Sequence, residues 1–449
     1  MRDRPPTFLT AAAAAELLGV RRETLYSYVS RGLLRSEPGE AGRQRRYRRS
    51  DVEALARRRA ARRRPAVAAA QALDFGEPVL ETGLGTIEEG RLLYRGQDAL
   101  GLSRSASFEQ VARWLWSGAT RAEGDDSPND GSSAEGPPVG RSPETPSSPP
   151  LDLGEQTQQL LDAIVEAPLD PLERLAAALP VVGTRLPTWP RRTPAAVALA
   201  ERLVAAVVCT LAGVPPRTWR GSSAKVLAEA WGLAEDLRLR QMLDAILVLC
   251  ADHELNASTF AARVAASTEA PPHAVLSAGL AALVGPRHGG HVLRVAALLD
   301  EIEVDIRSLD PQRVDDALAR RLRRGDPLPG FGHPLYPQGD PRGREMFARL
   351  TDLEARAQEV GAEPVDSARL DLEALAACRL LAERGEALLG EAPTIDVALV
   401  AVARTLRLPA SAPIVLFATG RCAGWIAHAL EQRADGRLIR PRARRRRSR

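Results

Sequence analysis

From Leu153 onward the chain repeats one pattern: apolar residues at helical spacing, block after block, as in "AAVALAERLVAAVVCTLAGV" and "RQMLDAILVLCADHEL". Upstream, "FEQVARWLWSG" puts Phe108, Val111, Leu115 and Trp116 on one helical face. Period-two alternation is nearly absent, and no fixed repeat is apparent. The pattern therefore predicts an all-α body. No apolar run reaches the roughly 18 residues of a membrane helix, so a soluble protein with no membrane partner is expected. The N-terminal segment reads differently. "TAAAAAELLGVRRETLYSYVSRGLL" (Thr10–Leu34) divides into two short helices, the first capped by Thr10 with Leu17 and Leu18 inward, and the second spanning about Arg22–Ser30. Gly19 supplies the turn between them. "RSEPGEAGRQRRYRRSDVEAL" then predicts a hairpin of short extended arms, followed by a third helix capped at Ser50 or Asp51.

The second short helix carries Arg21, Arg22, Thr24, Tyr26, Ser27 and Tyr28, and the hairpin carries Arg43, Arg45, Arg46 and Arg48. Helix, turn, helix and basic wing in this order resemble the winged helix-turn-helix of MerR-type regulators and excisionases. The resemblance covers about fifty residues and implies that the second helix reads duplex DNA while the wing grips phosphate. The alternative is a basic, Ala-rich helical hairpin that binds nothing.

Charge sharpens this division. Residues 1–64 hold 17 arginines against 7 acidic residues, and the last ten hold 7 arginines and no acid, although the whole chain carries only +4. A basic head and tail on an acidic body point to the ends as the parts that meet a polyanion. Residues 121–152 are nearly all Gly, Pro, Ser, Asp and Glu, and predict a disordered insertion. Four scattered cysteines (Cys209, Cys250, Cys378, Cys422) fall inside apolar helical patterns without metal spacing. They predict buried thiols in a reducing cytoplasm.

Candidate chemistry gathers at a few positions. His253 ends an apolar helix, His288 lies just before an amphipathic one, and His333 sits on the proline-rich loop "PGFGHPLYPQGDPR". Asp396 stands at the mouth of an almost wholly apolar helix. Singly each has a plain structural reading: a satisfied core histidine, a turn residue, a loop residue, a helix N-cap. Together, two imidazoles and a carboxylate anchored at helix ends or a rigid loop can form an acid–base site. An imidazole at a helix N-terminus is favoured neutral and can donate to a developing oxyanion. A carboxylate at the head of an apolar helix is partly withdrawn from water, the setting of a base that takes a proton from carbon. Arg342, Arg421 and Arg440 add guanidinium forks suited to a di- or tricarboxylate.

"DHELNAST", "GPRHGG", "PGFGHPLYPQGDPR", "PTIDVAL" and "GRCAGWIAHALEQ…RPR" follow one another over residues 81–441, after the opening segment "EEGRLLYRGQDALGL". In order and approximate spacing they resemble the citrate synthase family. The resemblance implies a two-domain, all-α fold and a Claisen-type condensation of acetyl-CoA with oxaloacetate, giving citrate and CoA. It implies Asp396 as the base, His288 as the group at the thioester oxygen and His333 as the group at the ketone. His253, Arg342 and Arg421 would bind oxaloacetate, and Arg440 would be donated across a homodimer. No metal or tightly bound cofactor is implied, acetyl-CoA being a co-substrate.

The expected organisation is a head at 1–64, a linker and the start of the large domain at 65–120, and the insertion at 121–152. The large domain then covers 153–287, a small domain 288–397, and 398–449 returns to the large domain and ends in a basic tail. Two departures from the family pattern stand out. After His288 the family usually reads Gly-Gly-Ala-Asn, whereas Gly290 here precedes His291 and Val292. Four residues after His333, where a basic residue is common, stands Pro337. Both are expected to bear on CoA geometry and affinity more than on the acid–base set. Two alternative functions remain: 2-methylcitrate synthesis from propionyl-CoA, and a metabolite-sensing regulator built on a synthase body.

Overall fold

The structure, a computed structural model, describes residues 8–18, 20, 22–30, 34, 36–38, 45–49, 52, 80–119, 153–190, 193–358 and 370–443. Gly19, Arg21, Arg43, Ser50, Asp51, the insertion at 121–152 and the arginines from 444 onward lie outside the described residues. The chain falls into two compact units, Met1–Glu81 and Thr82–Arg449.

In the first unit, strand β1 (Phe8–Thr10) runs straight into helix α1 (Ala11–Leu18). Thr10 caps that helix, its Oγ1 accepting the Ala13 N–H at 3.2 Å. The Val20 N–H closes the other end on the Ala15 carbonyl at 2.9 Å. Helix α2 (Arg22–Ser30) follows, then strands β2 (Glu37–Pro38) and β3 (Arg45–Arg48). The sheet order is β1-β3-β2, antiparallel throughout, with Leu9 opposite Tyr47. Strand β1 was not expected, because three residues are too few to display alternation. Leu9, Leu18, Leu25, Leu34, Tyr47 and Val52 form the small core.

The second unit opens with another sheet absent from the sequence reading: β4 (Gly85–Glu88), β5 (Arg91–Tyr94) and β6 (Gln97–Asp98), in that order. Two-residue turns join them, Glu89-Gly90 and Arg95-Gly96, each with positive φ at both positions. That is the backbone of tight hairpin turns, which suit the twist of the flanking strands. Among the described residues the remaining regular elements of this unit are helices, as the apolar period predicts. The helices are α3 (Ala99–Ser105), α4 (Phe108–Ala119), α5 (Glu155–Glu166), α6 (Pro171–Gly183), α7 (Thr193–Ala212) and α8 (Ser223–Ala230). After them come α9 (Leu237–Cys250), α10 (Ala257–Ser267), α11 (Pro272–Leu283), α12 (His291–Glu301) and α13 (Glu303–Ile306). The last five are α14 (Pro311–Arg323), α15 (Pro341–Gln358), α16 (Leu372–Leu389), α17 (Ile395–Thr405) and α18 (Ala412–Asp435).

Helix α18 is the centre of this unit, packed by α4, α7, α9, α10 and α11. Two glycines let it close on α9: a Cβ at Gly420 would meet the Leu247 carbonyl at 2.7 Å, and one at Gly424 the Ala251 carbonyl at 2.4 Å. Contrary to the sequence expectation, α7 and α18 are long and apolar enough to cross a membrane. The bundle takes up that apolar surface instead: the apolar window of α18 is wholly buried and that of α7 is 67% buried. A helix that is apolar all round belongs in a protein core or a bilayer, and here neighbouring helices cover it. Helix α17 is similar, buried from Ile395 to Thr405 except at Asp396 and Arg404, between α12, α15, α16 and α18.

Candidate active site

The site grows from loops and helix ends that converge on the α9–α10 junction. Asn256 caps α10, its Oδ1 accepting the N–H groups of Ser258 (3.2 Å) and Thr259 (3.1 Å). Just before it, Tyr94 of β5 donates to the Val248 carbonyl at 2.9 Å and accepts from Asp252 N–H at 3.2 Å. Glu254 accepts the Ile87 N–H at 2.7 Å. The unforeseen sheet thus clamps the loop that carries His253.

His253 is buried, and its Nε2 lies 2.9 Å from the Tyr336 hydroxyl. Its ring packs edge-on to His333 with centroids 5.2 Å apart. The Leu335 N–H donates to His333 Nδ1 at 3.2 Å. In a neutral His333 this places the ring proton on Nε2, a donor suited to a carbonyl oxygen. His288 Nε2 lies 2.7 Å from Ser258 Oγ, which also accepts from the Trp425 indole at 3.1 Å. Burial, then the positive charge of nearby arginines, holds all three imidazoles below their usual range. His288 is brought down to about 4 by burial and Arg421. The cluster is a set of neutral imidazoles.

The proline-rich loop turns twice, Tyr336 N–H bonding to the His333 carbonyl and Gly339 N–H to the Tyr336 carbonyl, both at 2.9 Å. It delivers Asp340 and Arg342, 2% and 3% exposed, as a forked ion pair. Arg342 donates Nε to Oδ1 at 3.0 Å and Nη2 to Oδ2 at 2.8 Å. The same Oδ2 accepts the Ile395 N–H at 3.1 Å, so one carboxylate ties the loop to the head of α17. Burial pushes Asp340 up, but the paired Arg342 more than offsets this and holds it below the usual carboxylate range.

Arg421, inside α18 and 1% exposed, donates Nε to the Cys250 carbonyl at 3.0 Å and stacks over Phe417. Its Nη2 is buried with no hydrogen-bond partner, and among the described residues no carboxylate lies within ion-pair distance. Burial, reinforced by Arg342, pulls its pKa below the usual guanidinium value. A buried cationic donor left unpaired is costly, and an anion is what satisfies it.

Asp396 is the second residue of α17 rather than its cap. Thr394 is the cap, accepting Asp396 N–H at 3.4 Å and donating its hydroxyl to Asp396 Oδ2 at 2.9 Å. The charge of Asp396 is felt by both His288 and His333. Structure therefore brings together His253, His288, His333, Arg342, Arg421 and Asp396. Arg440 stands apart, exposed on the segment after α18.

Comparison with known proteins decides the family. The sequence profile described as "Citrate synthase, C-terminal domain" matches residues 75–442. This chain belongs to the citrate synthase family. A "Citrate synthase" of Haloferax volcanii is 31% identical over 391 residues, covering 82% of this chain and 93% of that protein. A "Putative citrate synthase 2" of Mycobacterium tuberculosis is 38% identical over 213 residues, 47% of this chain. The match spans only 53% of that relative's length. Among solved structures, a complex of carboxymethyl coenzyme A and oxaloacetate with citrate synthase from Thermoplasma acidophilum shares the fold, with TM-score 0.62 and 22% identity. It covers 83% of this chain and 95% of its own. A helix-turn-helix profile matches residues 8–60.

Several residues of this family member's site escaped the sequence reading. Tyr336 and Asp340 lie in the proline-rich loop, where the Asp340-x-Arg342 spacing was the available signal. Behind the site runs a buried polar chain: His428 Nε2 to Asp252 Oδ2 at 3.2 Å, Arg263 to His428 Nδ1 at 3.2 Å, and Arg263 to Glu431 at 2.6 Å. Because Arg263 can only donate, His428 Nδ1 accepts and its proton sits on Nε2, facing Asp252. Glu431 in turn accepts from Thr82 and Gly83 at 2.8 Å each.

In the first unit, Arg22 and Tyr26 lie exposed one helical turn apart on α2, Tyr26 at 51%. Thr24 is half-buried on the same helix. Arg45 donates to Ser36 Oγ at 2.7 Å, and the guanidiniums of Arg46 and Arg48 lie 5.7 and 5.9 Å from the Phe8 ring centroid. Arg21 and Arg43 are among the residues not described.

Proposed function

We propose that this chain catalyses the condensation of acetyl-CoA with oxaloacetate to citrate and CoA. The observation that carries the reading is the buried pairing of neutral imidazoles with two guanidiniums, one of which, Arg421, keeps an unpartnered Nη2. Such a pocket suits a small dianion with a polarisable carbonyl. In this reading Arg342, Arg421 and His253 hold the carboxylates, and His333 donates Nε2–H to the ketone oxygen. Ser258 Oγ lies 2.7 Å from both Asn256 Oδ1 and His288 Nε2. With its single hydroxyl proton turned from Asn256 to hydrogen-bond His288 Nε2, Nδ1–H of His288 is the donor to the thioester oxygen. Asp396 takes a methyl proton, the C–H electron pair moves into the enolate, and that carbon attacks the ketone carbon while the C=O π pair moves to the oxygen, which takes its proton from His333 Nε2. Water then cleaves the thioester, releasing citrate and CoA. No step calls for a metal or resident cofactor.

Arg440, exposed and outside the cluster, fits a residue that completes a partner's site in a homodimer. Four buried free thiols suit a reducing, cytoplasmic setting. The test is release of free thiol when purified protein meets oxaloacetate with acetyl-CoA, run beside propionyl-CoA. Preference for the second donor would identify a 2-methylcitrate synthase. No turnover with either, or equal turnover by D396A, would refute the reading.

A second reading concerns the head, and the helix-turn-helix match with its exposed Arg22 and Tyr26 favours it. We infer that residues 1–64 bind duplex DNA and make the protein a metabolite-linked regulator as well as an enzyme. Binding should weaken steeply with salt and vanish when 1–64 is deleted. Unchanged binding by the deletion would refute it.

A further inference from the structure

The turn that carries His288 carries a second imidazole. Gly289 and Gly290 pack so tightly under it that added Cβ atoms would meet the Leu283 carbonyl at 2.8 Å and the Val284 carbonyl at 2.7 Å. His291 N–H closes the turn on the His288 carbonyl at 2.9 Å, and His291 becomes the first residue of α12. The two side chains end in different surroundings. His288 is buried against Ser258 and Phe417, whereas the His291 side chain is 29% exposed and its Nδ1 lies 3.6 Å from Asp396 Oδ2.

Asp396 is held asymmetrically. Oδ2 accepts the Thr394 hydroxyl at 2.9 Å and also faces His291, while no described group bonds Oδ1. At 3.6 Å the His291 contact is electrostatic rather than a direct hydrogen bond. A carboxylate facing Nδ1 favours the tautomer with its proton there, so an N–H dipole points at Oδ2. Two groups on separate elements, Thr394 before α17 and His291 on α12, thus fix the same oxygen.

We propose that His291 is a positioning residue for the base: with Thr394 it fixes Oδ2 of Asp396 and leaves Oδ1 turned toward the substrate carbon. The proposal rests on the condensation reading and deepens it. It shifts to the base a departure expected to bear mainly on CoA.

Asparagine is the informative replacement, since its Nδ2 sits on the same branch as histidine Nδ1 and keeps an N–H there. Leucine fills similar space without a donor. The experiment measures kcat, both KM values and the isotope effect with trideuterio-acetyl-CoA on full-length wild type, H291L, H291N and D396A. H291L should lose roughly 10- to 100-fold in kcat, the range expected when a reacting group is misplaced by up to about 1 Å. Its KM for oxaloacetate should stay put and its isotope effect should rise as proton abstraction becomes limiting. H291N should recover most of the rate. Should H291L not fold, H291Q takes its place, because its amide is one methylene out of register and should show the same loss. Wild-type kcat and isotope effect in H291L, with D396A inactive, would overturn the proposal and leave the condensation reading intact. So would an H291N as slow as H291L. A wild type without turnover would overturn both.

Discussion

Replacing Asp340 with asparagine tests whether the loop and α17 are joined as the site requires. Asp340 accepts four hydrogen bonds between 2.8 and 3.1 Å: three from Arg342 and one from Ile395 N–H. Asparagine keeps the shape but presents an NH2 to two of these donors, since each oxygen accepts two, and leaves Arg342 as an uncompensated buried charge. Breaking a buried pair on one side costs about 3–5 kcal/mol. By contrast E354Q, which breaks the Arg379–Glu354 pair at 29% and 24% exposure, should cost about 0–1 kcal/mol. Urea midpoints by circular dichroism give the two shifts side by side. The second readout is kinetic: a loosened Arg342 loses a charge-assisted contact of about 1.5–3 kcal/mol, roughly 10- to 100-fold in KM for oxaloacetate. The third is pH. The folded state holds Asp340 below its unfolded value, so its contribution is full above about 3.9 and fades as pH falls through the folded pKa. Wild type should lose this increment in acid, and D340N should have none to lose. A D340N protein matching wild type in midpoint and KM would refute the claim that Asp340 sets Arg342.

The three site histidines make a prediction of the same sign in a higher pH window. Their folded pKa values lie below the unfolded 6.5, so the unfolded chain binds more protons as pH falls and stability declines from about 6.5 downward. For His288 the decline should continue to about pH 4, and H288N should flatten the urea-midpoint profile over that window. An unchanged profile would show that His288 is not held neutral by the fold. G424A should drive the added methyl into the Ala251 carbonyl and toward Asp252 Oδ1 at 2.8 Å, destabilising by about 1–3 kcal/mol. Because that displacement reaches the residue before His253, oxaloacetate KM should rise with it. A neutral G424A would show that α18 and α9 are not in the close contact described.

Much of the site was readable in advance because its residues sit in unusual local company. Asp396 is the only acidic residue on α17, and His333 lies among prolines and glycines that cannot continue a helix. Such contrasts survive in one dimension. The partners did not. Tyr336, Asp340, Ser258 and Thr394 are ordinary loop and cap residues until the fold sets them against a histidine or an arginine. The short strands were missed for a related reason: β1 and β4–β6 run two to four residues, too short for a period of two to register.

The amino-acid sequence by itself determined the helical body and the helix-turn-helix order of the head, and it marked, besides Arg440, six side chains that the fold brings together. Those follow from apolar period, turn residues and side-chain type, all local properties. Only the tertiary structure decided what each charge faces. It paired Arg342 with Asp340 and left Arg421 Nη2 without a partner. It made Asp396 a second helical residue instead of a cap, and it moved His291 from a variation expected to concern CoA to the flank of the base. The Asp340–Arg342 pair is local and left a trace in the spacing, but His291 meets Asp396 from a different helix and Arg421 reaches Cys250 across 171 positions. Electrostatic pairing falls off over a few ångströms, so no local pattern can report such contacts.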